Sequence, residues 1–389
     1  MANRASQDNH RAPGPPNSTI RSAACVFLFS LLRIDSITSL PRMYHVGLPT
    51  KSIRMDSGIL NHSAFDAYGV SITPEALSDA TSASAVLVGA VGGPKWSKNR
   101  LPVEWGLGDL RKALDAFGNL RPVNFAAPIL LEQSALKPER CAGADILIVR
   151  ELTGGVYFGQ RREHGVDGKE LDWASDTDTY TRAEIERVAR LAGKLALATN
   201  PPRSIISLDK ANVLAACGRL WRGVVDEIIR TEFPQVEPEH MLIDSAAMVM
   251  ASNLRRLNGV ILTSNMFGDI ISDEASAITG SIGLLPSASL CDIPDDIRGG
   301  SNVKGLYEPI HGSAPDIAGK GVVNPAGMIL SVAMMFKYSL NMESVSTAIE
   351  KAVRDTLQSG MLTKDLGGAG STTDFGDAVV AALRSQAVC

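Results

Sequence analysis

The richest chemistry in the chain sits in Asn265-Met-Phe-Gly-Asp-Ile-Ile-Ser-Asp-Glu274. Asp269 and Asp273 stand four apart, so on a helix they lie one above the other on the same face. In solvent, two like charges at that spacing repel by only ~0.2–0.5 kcal/mol, and a solvated acidic face would account for them. Their surroundings favour chemistry. The stretch leaves the apolar run Val260-Ile-Leu262, and Asp244 ends a second run, Met241-Leu-Ile243, again at a strand exit. Three carboxylates so placed suit a hard divalent cation, Mg²⁺ or Mn²⁺. Arg150 closes the apolar run Asp145-Ile-Leu-Ile-Val149, where α/β sheets gather ligands, and is well placed for an anion. Lys210 follows Ile205-Ile-Ser-Leu208 and Asp209, and taken alone reads as a solvated surface lysine.

Regular elements must position these groups. Ser264 or Asn265 can cap the acidic helix, with Phe267, Ile270, Ile271, Ala275 and Ile278 at core-facing spacing. Ala85-Val-Leu-Val88 is a short strand running into Gly89, Gly92 and Gly93. Residues 106–114 are helical, with Leu107, Leu110 and Leu114 on one side and Arg111 off it; Arg121, before Pro122, is biased to extended backbone. Asp145 to Val149 is a strand of the buried, parallel type. Thr153-Gly-Gly-Val-Tyr157-Phe-Gly159 leads into a hairpin arm, and Thr181 with Glu184 forms a capping box for a helix reaching about Ala198. Gly280 to Pro286 and the stretch from Glu308 to Asn324 read as Gly- and Pro-rich loops of the functional kind. Helices from about Met342 to Gln358 and from Asp374 to Arg384 close the chain. No Gly-x-Gly-x-x-Gly follows a strand, so this is not an ordinary Rossmann fold.

The 389 residues allow two domains, and 45% apolar with 21% charged residues is ordinary for a soluble globular protein. A formal charge of −4 without a basic stripe argues against nucleic acid, and no apolar run reaches membrane-spanning length. Five scattered cysteines form no disulfide framework and point to a reducing compartment. Residues 1–50, with Pro13, Pro15 and Pro16 and the short apolar run Ala24 to Leu32, read as an atypical, poorly ordered segment. A cytoplasmic protein is expected, with mitochondrial targeting the second choice.

Taken together, Gly89-Ala-Val-Gly-Gly-Pro-Lys-Trp96, Asn119-Leu-Arg-Pro122, Val149 to Gly159, Asp209-Lys-Ala-Asn-Val213, Asn265 to Glu274 and His311-Gly-Ser-Ala-Pro-Asp-Ile-Ala-Gly319 resemble the β-decarboxylating dehydrogenases, in their isopropylmalate branch. The resemblance runs from about residue 57 to the C-terminus. It implies an α/β, two-domain fold with a mixed sheet flanked by helices: residues 51–118 and 281–389 form the cofactor domain, 119–280 the substrate and dimerisation domain. It implies NAD-dependent oxidation of a 2-hydroxy acid followed by loss of CO₂, as in leucine biosynthesis. Arg111, Arg121 and Arg150 match the family's carboxylate-binding arginines. Asp269 and Asp273, with Asp244 of a second copy, match its metal ligands, and Asp244 also borders the substrate. Lys210, also from the second copy, matches the base for the C2 hydroxyl, and Tyr157 the acid that protonates C3. A homodimer with shared active sites is therefore implied. Asn265, His311, Gly312, Ser313, Ala314, Asp316, Ile317 and Asn324 match the cofactor site, with Asp316 favouring NAD over NADP by repelling a 2′-phosphate.

Glu104 and Leu107 match the residues facing the substrate's C3 substituent. Trp105 stands where a Gln is expected and Gly108 where a second apolar residue usually sits, which keeps isocitrate-, homoisocitrate-, tartrate- and other alkylmalate-type substrates open. The family's opening strand and Gly-Asp-Gly-Ile-Gly-Pro-Glu turn have no counterpart in residues 1–50. The expectation is a chain folded around the family core, with cofactor binding or stability impaired.

Overall fold

The computed structural model describes residues 42–47, 54–60, 62–92, 105–163, 173–295 and 300–386. Ten strands within these residues join in one mixed sheet. Five come from its outer segments: β1 (Arg42–Gly47), β2 (Arg54–Ile59), β3 (Ala85–Val88), β11 (Pro286–Leu290) and β12 (Gly305–Pro309). The other five are β4 (Gly118–Asn124), β5 (Asp145–Glu151), β8 (Ile205–Asp209), β9 (Pro238–Leu242) and β10 (Gly259–Thr263). Their order is β2-β1-β3-β12-β11-β4-β5-β10-β8-β9, so the antiparallel pair β11–β4 stitches the two halves together. A separate two-stranded ribbon pairs β6 (Arg161–Arg162) with β7 (Ser175–Asp176), the arm expected after Gly159.

The parallel pairs β5–β10 and β10–β8 are covered on both faces, which is why these three strands are near-continuous apolar runs, whereas β9, parallel to β8 at the sheet edge, is only partly buried. Successive residues serve opposite cores. Val260 and Leu262 join one cluster with the helices Arg182–Leu197, Ala215–Glu232 and Ala326–Tyr338. Ile261, between them, joins a second with the helices Ile243–Met250 and Asn265–Thr279. The helix Arg182–Leu197 starts from the expected capping box: the Thr181 hydroxyl accepts from the Glu184 N–H, and the Glu184 carboxylate accepts from the Thr181 N–H.

Several expectations need correction. A strand over Arg42–Gly47 lies inside the segment expected to lack order; it pairs with β2 and β3. Ala24 to Leu32 falls outside the described residues, as do Gly93 to Trp96 and Glu104. Met241 and Leu242 end β9, but Ile243 already begins a helix, so Asp244 lies in that helix's first turn. Ile270, expected in the core, is 58% exposed. The stretches Gly280–Pro286 and Glu308 onward are less loop-like than expected, because β11 and β12 occupy their edges.

Candidate active site

The parallel register of β5 and β10 sets the site, because it places Thr263 beside Arg150. The chain turns at Ser264 and the helix Asn265–Thr279 starts against the Arg150 side chain. That approach requires Gly268: a Cβ there would lie 2.7 Å from Cγ of Arg150 and 2.8 Å from Cγ2 of Thr263. One turn on, Asp269 points back at the strand ends and Asp273 lies above it.

Asp269 is the hub. Its Oδ1 takes a very short hydrogen bond from Nη1 of Arg150, and its Oδ2 accepts from the Tyr157 hydroxyl at 2.8 Å. Nη1 of Arg121 lies 3.4 Å from Asp269 and 3.8 Å from Asp273. Arg121 is itself fixed by Oδ1 of Asn119 at 2.7 Å and Oγ of Ser272 at 2.6 Å. The Arg150 guanidinium also sits 5.7 Å from the centre of the Tyr157 ring.

Charge is concentrated here at a cost. Burial and the neighbouring Arg150 lower the Arg121 pKa to about 10, which still leaves it charged at neutral pH. Arg150 is lowered chiefly by burial, against the opposing pull of Asp269. Burial pushes the Asp269 carboxyl up, but Arg150, Arg121 and the Tyr157 hydrogen bond outweigh it and hold the group below its ordinary value. Burial, with Asp269 close by, raises the Asp273 carboxyl despite the nearby Arg121. Burial and Asp269 likewise raise Tyr157, so its phenol keeps its proton. The arrangement therefore offers two fixed cations, a carboxylate pair and a protonated phenol around one opening.

The remaining expected residues fall into three places. Lys210 and Asp244 meet at 2.7 Å on the surface, a grouping of their own within one chain. The Lys210 hydrogen bond holds the Asp244 carboxyl below its ordinary range. Arg111 donates to Glu308 at 2.6 Å, a buried partner at the end of β12 that the sequence reading did not single out. Leu107 is buried in the helix Trp105–Leu114, beside Arg111. His311, Gly312, Ser313, Ala314, Asp316 and Ile317 share one loop after β12, with Gly312, Ala314 and Asp316 exposed and Ala314 held at a φ of +41°. Asn324 is buried; its Oδ1 accepts from the Ala326 N–H at 3.0 Å and its Nδ2 donates to Asp365.

Asn265, expected at the cofactor, is engaged by protein groups around Arg150. It has no exposed surface, and its side chain is fully engaged by protein. Oδ1 accepts from Nε and Nη2 of Arg150, at 3.0 and 2.7 Å, while Nδ2 donates to the Leu152 and Gly154 carbonyls, each at 3.0 Å. The Asn265 N–H donates to the Tyr180 hydroxyl at 2.9 Å. In this position Asn265 orients Arg150. Asn119, Ser272, Tyr180 and Glu308 are supporting residues beyond those expected, although Asn119, Ser272 and Glu308 lie inside the stretches that mark the site.

Cations flanking a carboxylate pair beneath a protonated phenol, at the strand ends of an α/β sheet, make an enzyme site for a small polyanion. The profile of the isocitrate/isopropylmalate dehydrogenase family matches residues 44–379, and the chain belongs to that family. It is 68% identical over 335 residues to the 3-isopropylmalate dehydrogenase AMT6 of Alternaria alternata, covering 86% of this chain and 89% of that one. It is 57% identical over 330 residues to the 3-isopropylmalate dehydrogenase of Sordaria macrospora, covering 85% and 88%. Among solved structures, isocitrate dehydrogenase from Methylococcus capsulatus superposes with a TM-score of 0.74 at 26% identity, covering 94% of this chain and 96% of that one. The β-decarboxylating dehydrogenase from Thermococcus kodakarensis gives 0.65 at 34% identity, covering 84% and 86%. The chain is thus an oxidoreductase with the mixed-sheet fold of this family.

Proposed function

We propose that this chain carries out the NAD-dependent oxidative decarboxylation of 3-isopropylmalate to 2-oxo-4-methylpentanoate, a step of leucine biosynthesis. The observation carrying this reading is the buried pair Arg121 and Arg150, converging on the Asp269 carboxylate with the Tyr157 hydroxyl on its other oxygen. Guanidinium forks held this rigidly suit the two carboxylates of a malate.

The residues present fit a divalent cation. Asp269 and Asp273 offer oxygen donors on one helical face, and Asp273 presents its carboxylate to solvent. Among the described residues of one chain, no three His, Cys, Asp or Glu side chains group closely enough to hold a metal ion. The third ligand in this reading is therefore Asp244 of a second copy. Mg²⁺ or Mn²⁺ bound there would supply Lewis acidity at the C2 oxygen, and bound NAD the hydride acceptor. Arg111, Arg121 and Arg150 hold the substrate carboxylates and align C2. Lys210 of the second copy takes the proton from the C2 hydroxyl, and Tyr157 delivers one to C3 once CO₂ has left. The loop from His311 to Ile317, with Asn324 behind it, holds the adenosine end, and Asp316 accepts from the ribose hydroxyls.

The second copy is proposed as the partner. Met248 is 68% and Ile270 58% exposed, on adjoining helices that also carry Asp244 and Asp269. Covering them with a like surface would bury both side chains, and in this reading each chain's Lys210–Asp244 group completes the other chain's site. Among the described residues no helix is long and apolar enough to cross a membrane. The experiment is NADH formation by the purified chain with Mg²⁺, NAD and 3-isopropylmalate, beside isocitrate, homoisocitrate and tartrate. Turnover of 3-isopropylmalate supports the reading; turnover of one of the others alone overturns the substrate assignment.

A further inference from the structure

We propose that the C3-substituent pocket of this site is built for a flat, arylmethyl-sized group, so that the chain also oxidises and decarboxylates 3-(arylmethyl)malates. The inference rests on the 2-hydroxy-acid reading above and deepens it. Arg111 and Tyr157 line an open cavity of about 250 Å³ together with Trp105, Leu107, Gly108, Phe158 and Arg161. A substrate anchored by the arginines, with C3 at the Tyr157 hydroxyl, would extend its C3 substituent into this space.

Gly108 is the telling residue. It lies inside the helix Trp105–Leu114, where glycine costs about 0.5–1 kcal/mol relative to alanine. Neither backbone conformation nor crowding demands it: a Cβ there would meet only a Phe158 ring carbon, at 3.8 Å, an ordinary contact. What the missing side chain provides is cavity. A leucine side chain at 108 would fill about the volume by which an arylmethyl group exceeds isopropyl.

The walls favour an aromatic occupant. Trp105 and Phe158 both line the cavity, each with one ring face covered by a cation (Arg161 and Lys112), and contacts of an aromatic occupant with these rings contribute ~0.5–1.5 kcal/mol beyond area burial. Arg161 lines the same cavity and could have marked it for a third carboxylate. Its guanidinium is already engaged, at 3.1 Å from Asp176, 2.7 Å from the Tyr157 carbonyl and 4.6 Å from the Trp105 ring centre. It borders the pocket as a plane stacked over Trp105, with its charge answered.

The test measures kcat/KM for 3-isopropylmalate, 3-benzylmalate and isocitrate, with Mg²⁺ and NAD, in the full chain and in Gly108→Ala and Gly108→Leu. The expected result is turnover of 3-benzylmalate at least as efficient as that of 3-isopropylmalate. Filling the cavity should then lower the benzyl-to-isopropyl ratio by roughly tenfold or more in Gly108→Leu, with Gly108→Ala between. Turnover of 3-isopropylmalate without 3-benzylmalate overturns the proposal, as does a ratio that neither variant shifts. Preference for isocitrate overturns it by assigning Arg161 to a carboxylate. A chain that turns over none of the three overturns the functional reading itself.

Discussion

Replacing Asn265 by alanine tests whether this residue orients Arg150 or touches the cofactor. The change deletes the acceptor of two guanidinium hydrogen bonds and the donor of two bonds to the Leu152 and Gly154 carbonyls. Arg150 is only 2% exposed, so water cannot simply replace what is lost. Leaving a buried charge without its partner typically costs about 3–5 kcal/mol, although Asp269 still holds Nη1 and moves the expectation to the lower end. A guanidinium freed to shift by about 1 Å costs on the order of a hundredfold in rate. Urea denaturation reads the first quantity. Steady-state kinetics read the second, as a raised KM for the 2-hydroxy acid and a lowered kcat. NADH fluorescence titration is expected to show unchanged affinity. Asn265→Asp separates the two halves of the network: Arg150 keeps its acceptor, while the two carbonyls lose their donor. That variant should lose stability yet retain the substrate KM. Weakened NADH binding in Asn265→Ala, with stability loss under ~1 kcal/mol, would refute the reasoning and return Asn265 to the cofactor site.

Tyr157→Phe removes the phenolic proton donor, and kcat should fall about 10²- to 10⁴-fold with little change in KM, measured by NADH formation and product analysis. Mixing Lys210→Met chains with Tyr157→Phe chains, each inactive alone, should restore about a quarter of wild-type activity, because half the dimers are hybrids with one complete site; no recovery after unfolding and refolding them together would place both residues in the same chain's site. Glu151 is fully buried, and burial raises its carboxyl above the ordinary value despite hydrogen bonds from Thr153 and Gly154. Its raised folded pKa means the wild type is favoured below the ordinary carboxylate range of about 4.3 and loses that contribution as pH rises through the folded value. The stability of Glu151→Gln minus that of wild type, from urea denaturation, should therefore increase with pH; a flat difference would contradict it.

What was legible in the sequence followed local pattern. β5, β8 and β10 are buried on both faces, so their apolar runs announce them; Arg150, near the end of β5, reads as an anion site from its position, while Lys210, just past β8, takes its role from the resemblance alone. The strands β11 and β12 were not legible. Pro286-Ser-Ala-Ser-Leu290 looks like a turn, yet all five residues are buried. Its serines are tolerated because each has a partner: Ser289 accepts from Asn119, and Ser287 donates to the Glu308 carbonyl. The helix Ala326–Tyr338 escaped for the opposite reason. It is buried nearly all round, so it lacks the amphipathic rhythm by which a surface helix shows itself.

The site divides along the same line. Asp269 and Asp273 are neighbours by helical spacing alone, so the chain announces them. The Arg111–Glu308 pair spans 197 positions and the Arg121–Ser272 pair 151, and no local rule reaches so far. Asn265 shows how register decides a role that residue type leaves open. An asparagine opening a helix at a strand's end can face a ligand or the strand beside it. Because β10 pairs with β5 so that Thr263 sits against Arg150, the next turn carries Asn265 directly onto that guanidinium. A slip of one residue would turn the side chain to the other face. The pairing of two strands more than a hundred residues apart, rather than the motif itself, makes Asn265 the residue that aims Arg150.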